Sequence, residues 1–208
     1  MLGTYRDINN TSRIMEMKFR HLLIIISLSL FALPSESLAE CKEVKPEIKI
    51  DKEGNQVKHG LEVLCYPNGF MKWKGKWKNG KTEGKWTYWH DNGKKSTEVI
   101  YKDGKQDGNW TEWHDNGQKS MEYKDGKRTY WHKNGKKSSE GLEKDGKRHG
   151  KWTYWYDNGK KWMEGLEKDG KRHGKWTEWY ETGAREETTY KDDEQIDYKL
   201  ILKSGEIL

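Results

Sequence analysis

Histidines that recur at one position of a repeated segment are the first candidates for chemistry. His90, His114 and His132 occupy equivalent positions in successive copies, as a ladder of metal ligands would. Tyrosine takes this position in the other copies, so the position selects a flat amphipathic ring. Neighbouring copies of a hairpin meander also lie two strands, or about 9–10 Å, apart, whereas the ligands of one metal lie about 2 Å from it. We expect no metal site and no other cofactor.

Two glutamates that break the repeat are the next candidates. Glu112 and Glu178 stand where other copies carry tyrosine, and a pair of carboxylates is the machinery of glycoside hydrolysis. They belong to well-separated copies, too far apart to act on one glycosidic bond. The other serine, histidine and acidic residues mostly occupy repeated positions, whereas catalysis needs a local break in symmetry. The sequence therefore predicts a protein that is not an enzyme.

The first 39 residues have the layout of a secretory signal. A basic segment, 17–21, precedes an apolar run, 22–33, and small residues lead up to Ala39. The apolar run is too short to cross a bilayer comfortably. We expect export to the periplasm or the medium; a lipoprotein or an uncleaved anchor is the alternative.

Two cysteines lie in the exported part. Cys41 and Cys65 make an even count in an oxidising compartment, which indicates a disulfide. The alternative is an unpaired Cys65 beside a lipidated or flexible Cys41. The two cysteines lack the close paired spacing of zinc ligands.

A repeat of about 24 residues must position all these side chains. The copies are 81–104, 105–126, 127–146, 147–170 and 171–194, with a diverged copy at 57–80. The second is shortened by 2 residues and the third by 4. Asn92-Gly93 predicts a tight type I′ turn, and Asp103-Gly104 predicts a second, looser turn. Each copy is therefore expected to be a β-hairpin.

The composition predicts a thin structure. Only 32% of residues are hydrophobic and 36% are charged, yet the chain has 12 Trp and 11 Tyr, in register with the repeat. We expect an all-β fold: an elongated single-layer antiparallel meander of about six hairpin repeats. The leader is 1–39, the N-terminal cap strand lies in 40–56, the repeats fill 57–194 and the C-terminal cap strand lies in 195–208.

Alternation along the strands sorts the aromatic residues onto two faces. One row is the candidate for ligand binding, although both rows could simply cover the sheet. Gly75, Gly141 and Gly165 share a strand position, which indicates a bulge or the close approach of a neighbouring aromatic ring. The candidate binding row holds Trp86, Tyr88, Trp110, Trp152, Tyr154 and Trp176, and the row expected to be structural holds Trp89, Trp113, Trp131, Trp155 and Trp179.

The repeat resembles a known family. Gly-Lys-Trp-Thr-x-Trp-x-x-Asn-Gly-Lys-Lys followed by Glu-Gly-x-x-Lys-Asp-Gly-Lys-x-x-Gly is similar to the bacterial MORN-repeat variant, over about residues 57–194. The resemblance implies a repeated β-hairpin fold that builds an elongated sheet. Some bacterial members are assigned as the antitoxin of a toxin–antitoxin pair, which implies an antitoxin-like alternative here.

Function and partners follow from these patterns. We expect a non-catalytic exported repeat protein that serves as a binding or scaffold module for a protein or an envelope glycan. The alternatives are a protein that neutralises a partner toxin, and a wall- or glycan-binding repeat. Interleaved lysines and carboxylates, with a net charge of +6, argue against nucleic acid, which favours a stripe of one sign. Peripheral contact with a membrane and the oligomeric state are left open.

Overall fold

A computed structural model describes residues 40–208, and it confirms the expected all-β meander. Fourteen strands form one sheet in chain order, and every neighbouring pair is antiparallel. The predicted signal segment lies outside the described residues. Within 40–208, no helix has the length and apolar character needed to cross a membrane. The strands are β1 Glu47–Ile50, β2 Gln56–Cys65, β3 Met71–Lys78, β4 Lys81–Trp89, β5 Lys95–Lys102, β6 Lys105–Trp113, β7 Lys119–Lys124, β8 Lys127–Trp131, β9 Lys137–Lys144, β10 Lys147–Trp155, β11 Lys161–Lys168, β12 Lys171–Trp179, β13 Arg185–Lys191 and β14 Glu194–Ile201.

The Asp-Gly turns are the tight ones, so the predicted roles of the two turns were wrong. Asp103 and Gly104 have φ of 51° and 80°, and strand pairing continues up to the residues on either side of them. Positive φ at both central residues defines a two-residue type I′ turn. Asn79, Asp125, Asp145 and Asp169 repeat this backbone, each before a glycine with positive φ.

The Asn-Gly turns are wider, and the asparagine side chain makes hydrogen bonds both within the turn and to the next copy. The hairpin closes where the His90 N–H donates to the Lys94 carbonyl at 2.8 Å, and Gly93 has φ of 80° whereas Asn92 is not left-handed. Asn92 Oδ1 accepts from the Lys94 N–H at 3.0 Å, and Nδ2 donates to the Asp115 carbonyl of the next copy at 2.8 Å. Asparagine therefore joins successive copies through its side chain.

The first strands β4, β6, β10 and β12 of four copies each carry a bulge. Between β3 and β4, one residue, Gly75, stands opposite the three residues 84–86, and Gly84 has φ of 69°. The strands β7 and β8 pair without any shift of register. This explains the unequal deletions of 2 and 4 residues. The paired parts of β7 and β8 are each shorter by two residues, and β8 also lacks the two extra residues of the bulge.

The sheet has two unlike faces. The packed face carries Trp86, Tyr88 and their equivalents, and the lysine face carries Lys85, Thr87, Trp89 and their equivalents. Most buried apolar side chains belong to the packed face, so a core exists without a second layer. They are Trp86, Val99, Met121, Trp152, Met163 and Trp176.

Both ends of the sheet are partly covered. A disulfide joins Cys41 to Cys65, and β1 pairs with β2. At the other end β14 pairs with β13, and the tail turns back so that the Leu208 N–H donates to the Leu200 carbonyl at 2.9 Å. These segments occupy backbone groups that an open sheet edge would offer to another chain.

Candidate functional site on the lysine face

Three tryptophans of the candidate binding row are buried on the packed face. Trp86, Trp152 and Trp176 expose 3%, 0% and 3% of their surface. Each indole lies over a glycine of the preceding strand, and each Nε1 donates to a backbone carbonyl of that strand at 3.0–3.1 Å. A Cβ on Gly75, Gly141 or Gly165 would lie 2.0, 2.3 or 2.1 Å from the ring.

The prediction that these three rings face a ligand was therefore wrong. Glycine on the preceding strand lets each ring lie flat on the backbone, and this contact removes it from solvent. The shared strand position of Gly75, Gly141 and Gly165 indicated the close approach of an aromatic ring, and this prediction is confirmed.

The other members of that row also pack on this face. Trp110 is half-buried and stacks on Tyr123 with ring centroids 4.7 Å apart. Burial raises the pKa of the Tyr88 hydroxyl to about 12. Burial also raises the pKa of Tyr154, although the Arg148 Nη1 atom donates to its hydroxyl at 2.7 Å. These three rings are half-buried and pack against their neighbours in the sheet.

An arginine–glutamate row crosses the C-terminal part of the packed face. Arg128 Nη2 lies 2.9 Å from a Glu143 carboxylate oxygen, and Arg148 Nη1 lies 3.9 Å from Glu167. Arg148 also covers the Trp152 ring, 4.3 Å from its centroid. Burial raises the pKa of Glu167, against the opposing effect of Arg148. This row holds the packed face together and was not foreseen from the sequence.

The histidine column joins neighbouring copies. His90 Nε2 donates to the Trp113 carbonyl at 2.9 Å, and the Tyr156 hydroxyl donates to the Trp179 carbonyl at 3.2 Å. Histidine and tyrosine thus fill one role, as the column predicted. Within residues 40–208, no group of three histidine, cysteine or acidic side chains is arranged to hold a metal.

The tryptophans of the row expected to be structural are half-buried on the lysine face. Every ring of this row keeps part of its surface in contact with solvent, unlike the buried Trp86, Trp152 and Trp176 of the other row. A lysine amine lies over most of these rings, a favourable contact of a cation with an aromatic face. The distances to the ring centroid are 5.6 Å for Lys95 over Trp113, 5.5 Å for Lys119 over Trp131, 6.0 Å for Lys137 over Trp155 and 5.2 Å for Lys161 over Trp179.

Beside this row, three glutamates are each held between two lysines. Glu140 accepts from Lys127 at 2.9 Å and from Lys137 at 2.7 Å. Partial burial raises the pKa of Glu140, but the hydrogen bonds from the two lysines outweigh it, so its pKa is lowered. Glu98 and Glu164 have the same arrangement, with lysines at 2.7–3.1 Å. We call these groups the lysine–glutamate triads.

Two further glutamates of this face have a different number of basic partners. Glu187 contacts Lys175, Arg185 and Lys199, and the hydrogen bond from Lys175 is the main reason that its pKa is lowered to about 2. Glu122 pairs with Lys119 alone. Along the chain these charges alternate in sign, and only the assignment of faces reveals that lysine outnumbers glutamate here.

Exposed aliphatic side chains complete the lysine face. Ile100, Leu142 and Leu166 occupy one column and expose 46%, 51% and 46% of their surface. At the far end of the tryptophan row, a hollow of about 360 Å³ is lined by Tyr156, Lys160, Lys161, Trp179, Tyr180 and Glu181. The face therefore presents rings, excess cations and aliphatic groups in parallel columns.

This architecture is that of a β-hairpin repeat protein. The sequence model of the MORN repeat variant matches residues 82–103, 148–166 and 172–192. These three matches are consistent with the MORN repeat variant that the pattern of the repeats predicted.

Further comparisons add little. No curated protein matches the chain. A crystal structure of accessory secretory protein 1,2 and 3 in Streptococcus pneumoniae is similar at 14% identity, with a TM-score of 0.18. The match covers 69% of this chain and 22% of that one, so the chain spans less than a quarter of its length.

Proposed function

We propose that the protein is an exported, non-catalytic binding module that presents its lysine face to a larger partner in the cell envelope or outside the cell. The observation that carries the proposal is the repetition of one accessible surface across β4–β14: half-buried tryptophans, excess lysines and exposed aliphatic groups. Repeat proteins use such extended surfaces for extended partners.

Two features support a location outside the cytoplasm. The layout of residues 1–39 is that of a secretory signal. The disulfide between Cys41 and Cys65 fits an oxidising compartment, because cytosolic thiols are kept reduced. Reduction would break the covalent link to β2 and leave the N-terminal segment held by the β1–β2 pairing and by backbone hydrogen bonds such as those between Val44 and Val63.

The test is site-specific crosslinking in the native envelope. A photoreactive residue at Leu142 or Leu166 would lie on the lysine face, and the same residue at Lys52 or Ser204 provides exposed control positions away from it. We expect adducts from the lysine face and none from the controls. Adducts from the controls alone, or recovery of the protein in the cytoplasm, would contradict the proposal.

A further inference from the structure

We infer that the lysine face binds an extended acidic polysaccharide, with carboxylates at the lysine–glutamate triads and sugar rings against the half-buried tryptophans. The inference rests on the proposed function and names the chemistry of the ligand. It depends on three observations of the lysine face: its charge excess, its spacing and its ring surface.

The charge excess is intrinsic to the triads. Three triads hold two lysines each, the Glu187 group holds three cations and Glu122 holds one, so ten cations face five glutamates. The difference is five positive charges. Partial burial raises the pKa of Glu98, Glu140 and Glu164, but the hydrogen bonds from their lysines outweigh it, so the pKa of each is lowered. The pKa of Glu187 is lowered as well, chiefly by the hydrogen bond from Lys175. The excess is therefore about one cation per copy, and an anionic ligand can pair with it.

The spacing of this excess favours a sparsely charged polymer. Equivalent residues of successive copies lie two strands, or about 9–10 Å, apart. A polysaccharide with one carboxylate per disaccharide carries its charges at a comparable interval when extended. Duplex nucleic acid carries one charge per ~1.7 Å of axis, far denser than the triads can match. The repetition of the triads across β4–β14 also fits a chain better than a compact ion.

The tryptophan row supplies the surface for sugar rings. The indoles run beside the triads, and four of the five half-buried rings offer a flat apolar patch next to a lysine amine. The hollow of about 360 Å³ at Trp179, between Tyr156 and Tyr180, has room for a sugar ring and is bordered by Lys161. Amphipathic aromatic rings beside cations suit a ligand that is both ring-shaped and acidic.

The test compares polymers on the intact protein. Hyaluronate, with one carboxylate per disaccharide, is titrated by calorimetry beside neutral dextran, duplex DNA and phosphatidylglycerol vesicles, at several salt concentrations. We expect hyaluronate to bind more tightly than the other three, and its affinity to fall with salt. Equal binding of dextran, or tighter binding of DNA or of the vesicles, overturns the inference.

Matched variants localise the binding. The triple change Lys85→Gln, Lys127→Gln and Lys151→Gln removes one cation from each of three triads, and we expect about tenfold weaker binding of hyaluronate with a shallower salt dependence. The control is Lys42→Gln, Lys45→Gln and Lys52→Gln, which removes the same charge from exposed sites in the N-terminal segment. Equal losses in both variants would overturn the inference.

The two proposals fail separately. If hyaluronate does not bind while crosslinks from Leu142 still form in the envelope, the polysaccharide is wrong and the binding module stands. If neither result appears, both are wrong. Chemical denaturation of each triple variant shows whether the fold is intact. Hyaluronate binding by the Trp179→Phe variant gives a second readout, at the hollow and without loss of charge.

Discussion

The two faces of the sheet use the same residue type for opposite purposes. Trp152 and Trp155 lie three positions apart on β10, yet the first is buried on the packed face and the second is half-buried on the lysine face. Trp152 rests on Gly141, whereas the amine of Lys137 lies over Trp155. The side chain that the preceding strand places against the ring therefore separates a tryptophan that supports the fold from one that stays accessible.

Charges differ between the faces in the same way. Glu167 on the packed face is 7% exposed, and its burial raises its pKa. Glu140 on the lysine face stays closer to solvent, and its two lysines lower its pKa. Carboxylates on the packed face thus balance half-buried arginines, whereas those on the lysine face lie among an excess of cations that solvent and ligands can reach.

The largest expected effect separates the two tryptophans of β10. Trp152→Ala removes a fully buried indole and leaves a cavity, so we expect a loss of about 3–5 kcal/mol in the free energy of unfolding. Trp155→Ala removes partial burial and a lysine contact, worth about 1–2 kcal/mol. Urea denaturation followed by circular dichroism measures both. Similar losses would show that the faces are energetically alike.

Much of this fold could be predicted from its sequence, because the repeat records pairing directly. The hairpins, the chain order of the sheet and the column of histidine and tyrosine follow from aligning the copies. The types of the two turns did not follow, because the Asn-Gly signal for a type I′ turn takes no account of hydrogen bonds that the asparagine side chain makes elsewhere. Here Asn92 bonds both its own turn and the next copy.

The candidate site was the harder part, because alternation gives two faces without saying which is covered. The signal that would have separated the two rows was present. Gly75, Gly141 and Gly165 precede the buried tryptophans by one strand, and lysines precede the accessible ones. A side chain on the neighbouring strand, rather than the tryptophan itself, carries that information.

A smaller effect is expected from filling one glycine. Gly165→Ala places a Cβ 2.1 Å from the Trp176 ring, which must shift at a cost of about 1–3 kcal/mol. Leu166→Ala, one residue along and 46% exposed on the lysine face, is the control and should change stability by about 0.5 kcal/mol or less. A harmless Gly165→Ala would mean that the indole does not depend on the glycine.

The smallest effect is one of pH. The Glu140 pKa lies below its usual 4.5, so its stabilisation is present above that pH and is lost as pH falls through the lowered value. The Glu167 pKa lies above 4.5, so its contribution is present below that pH and is lost as pH rises through the raised value. The two carboxylates therefore respond to acid in opposite directions.

Substitution by glutamine should expose that opposition. Glu140→Gln should flatten the fall in unfolding free energy on acidification, whereas Glu167→Gln should steepen it, each by about 1 kcal/mol or less. Urea denaturation between about pH 3 and pH 7 gives both profiles. Because each substitution removes one carboxylate, the change of net charge is matched. If both substitutions change the pH dependence of the unfolding free energy in the same direction, the carboxylates of the two faces do not differ in their effect on stability.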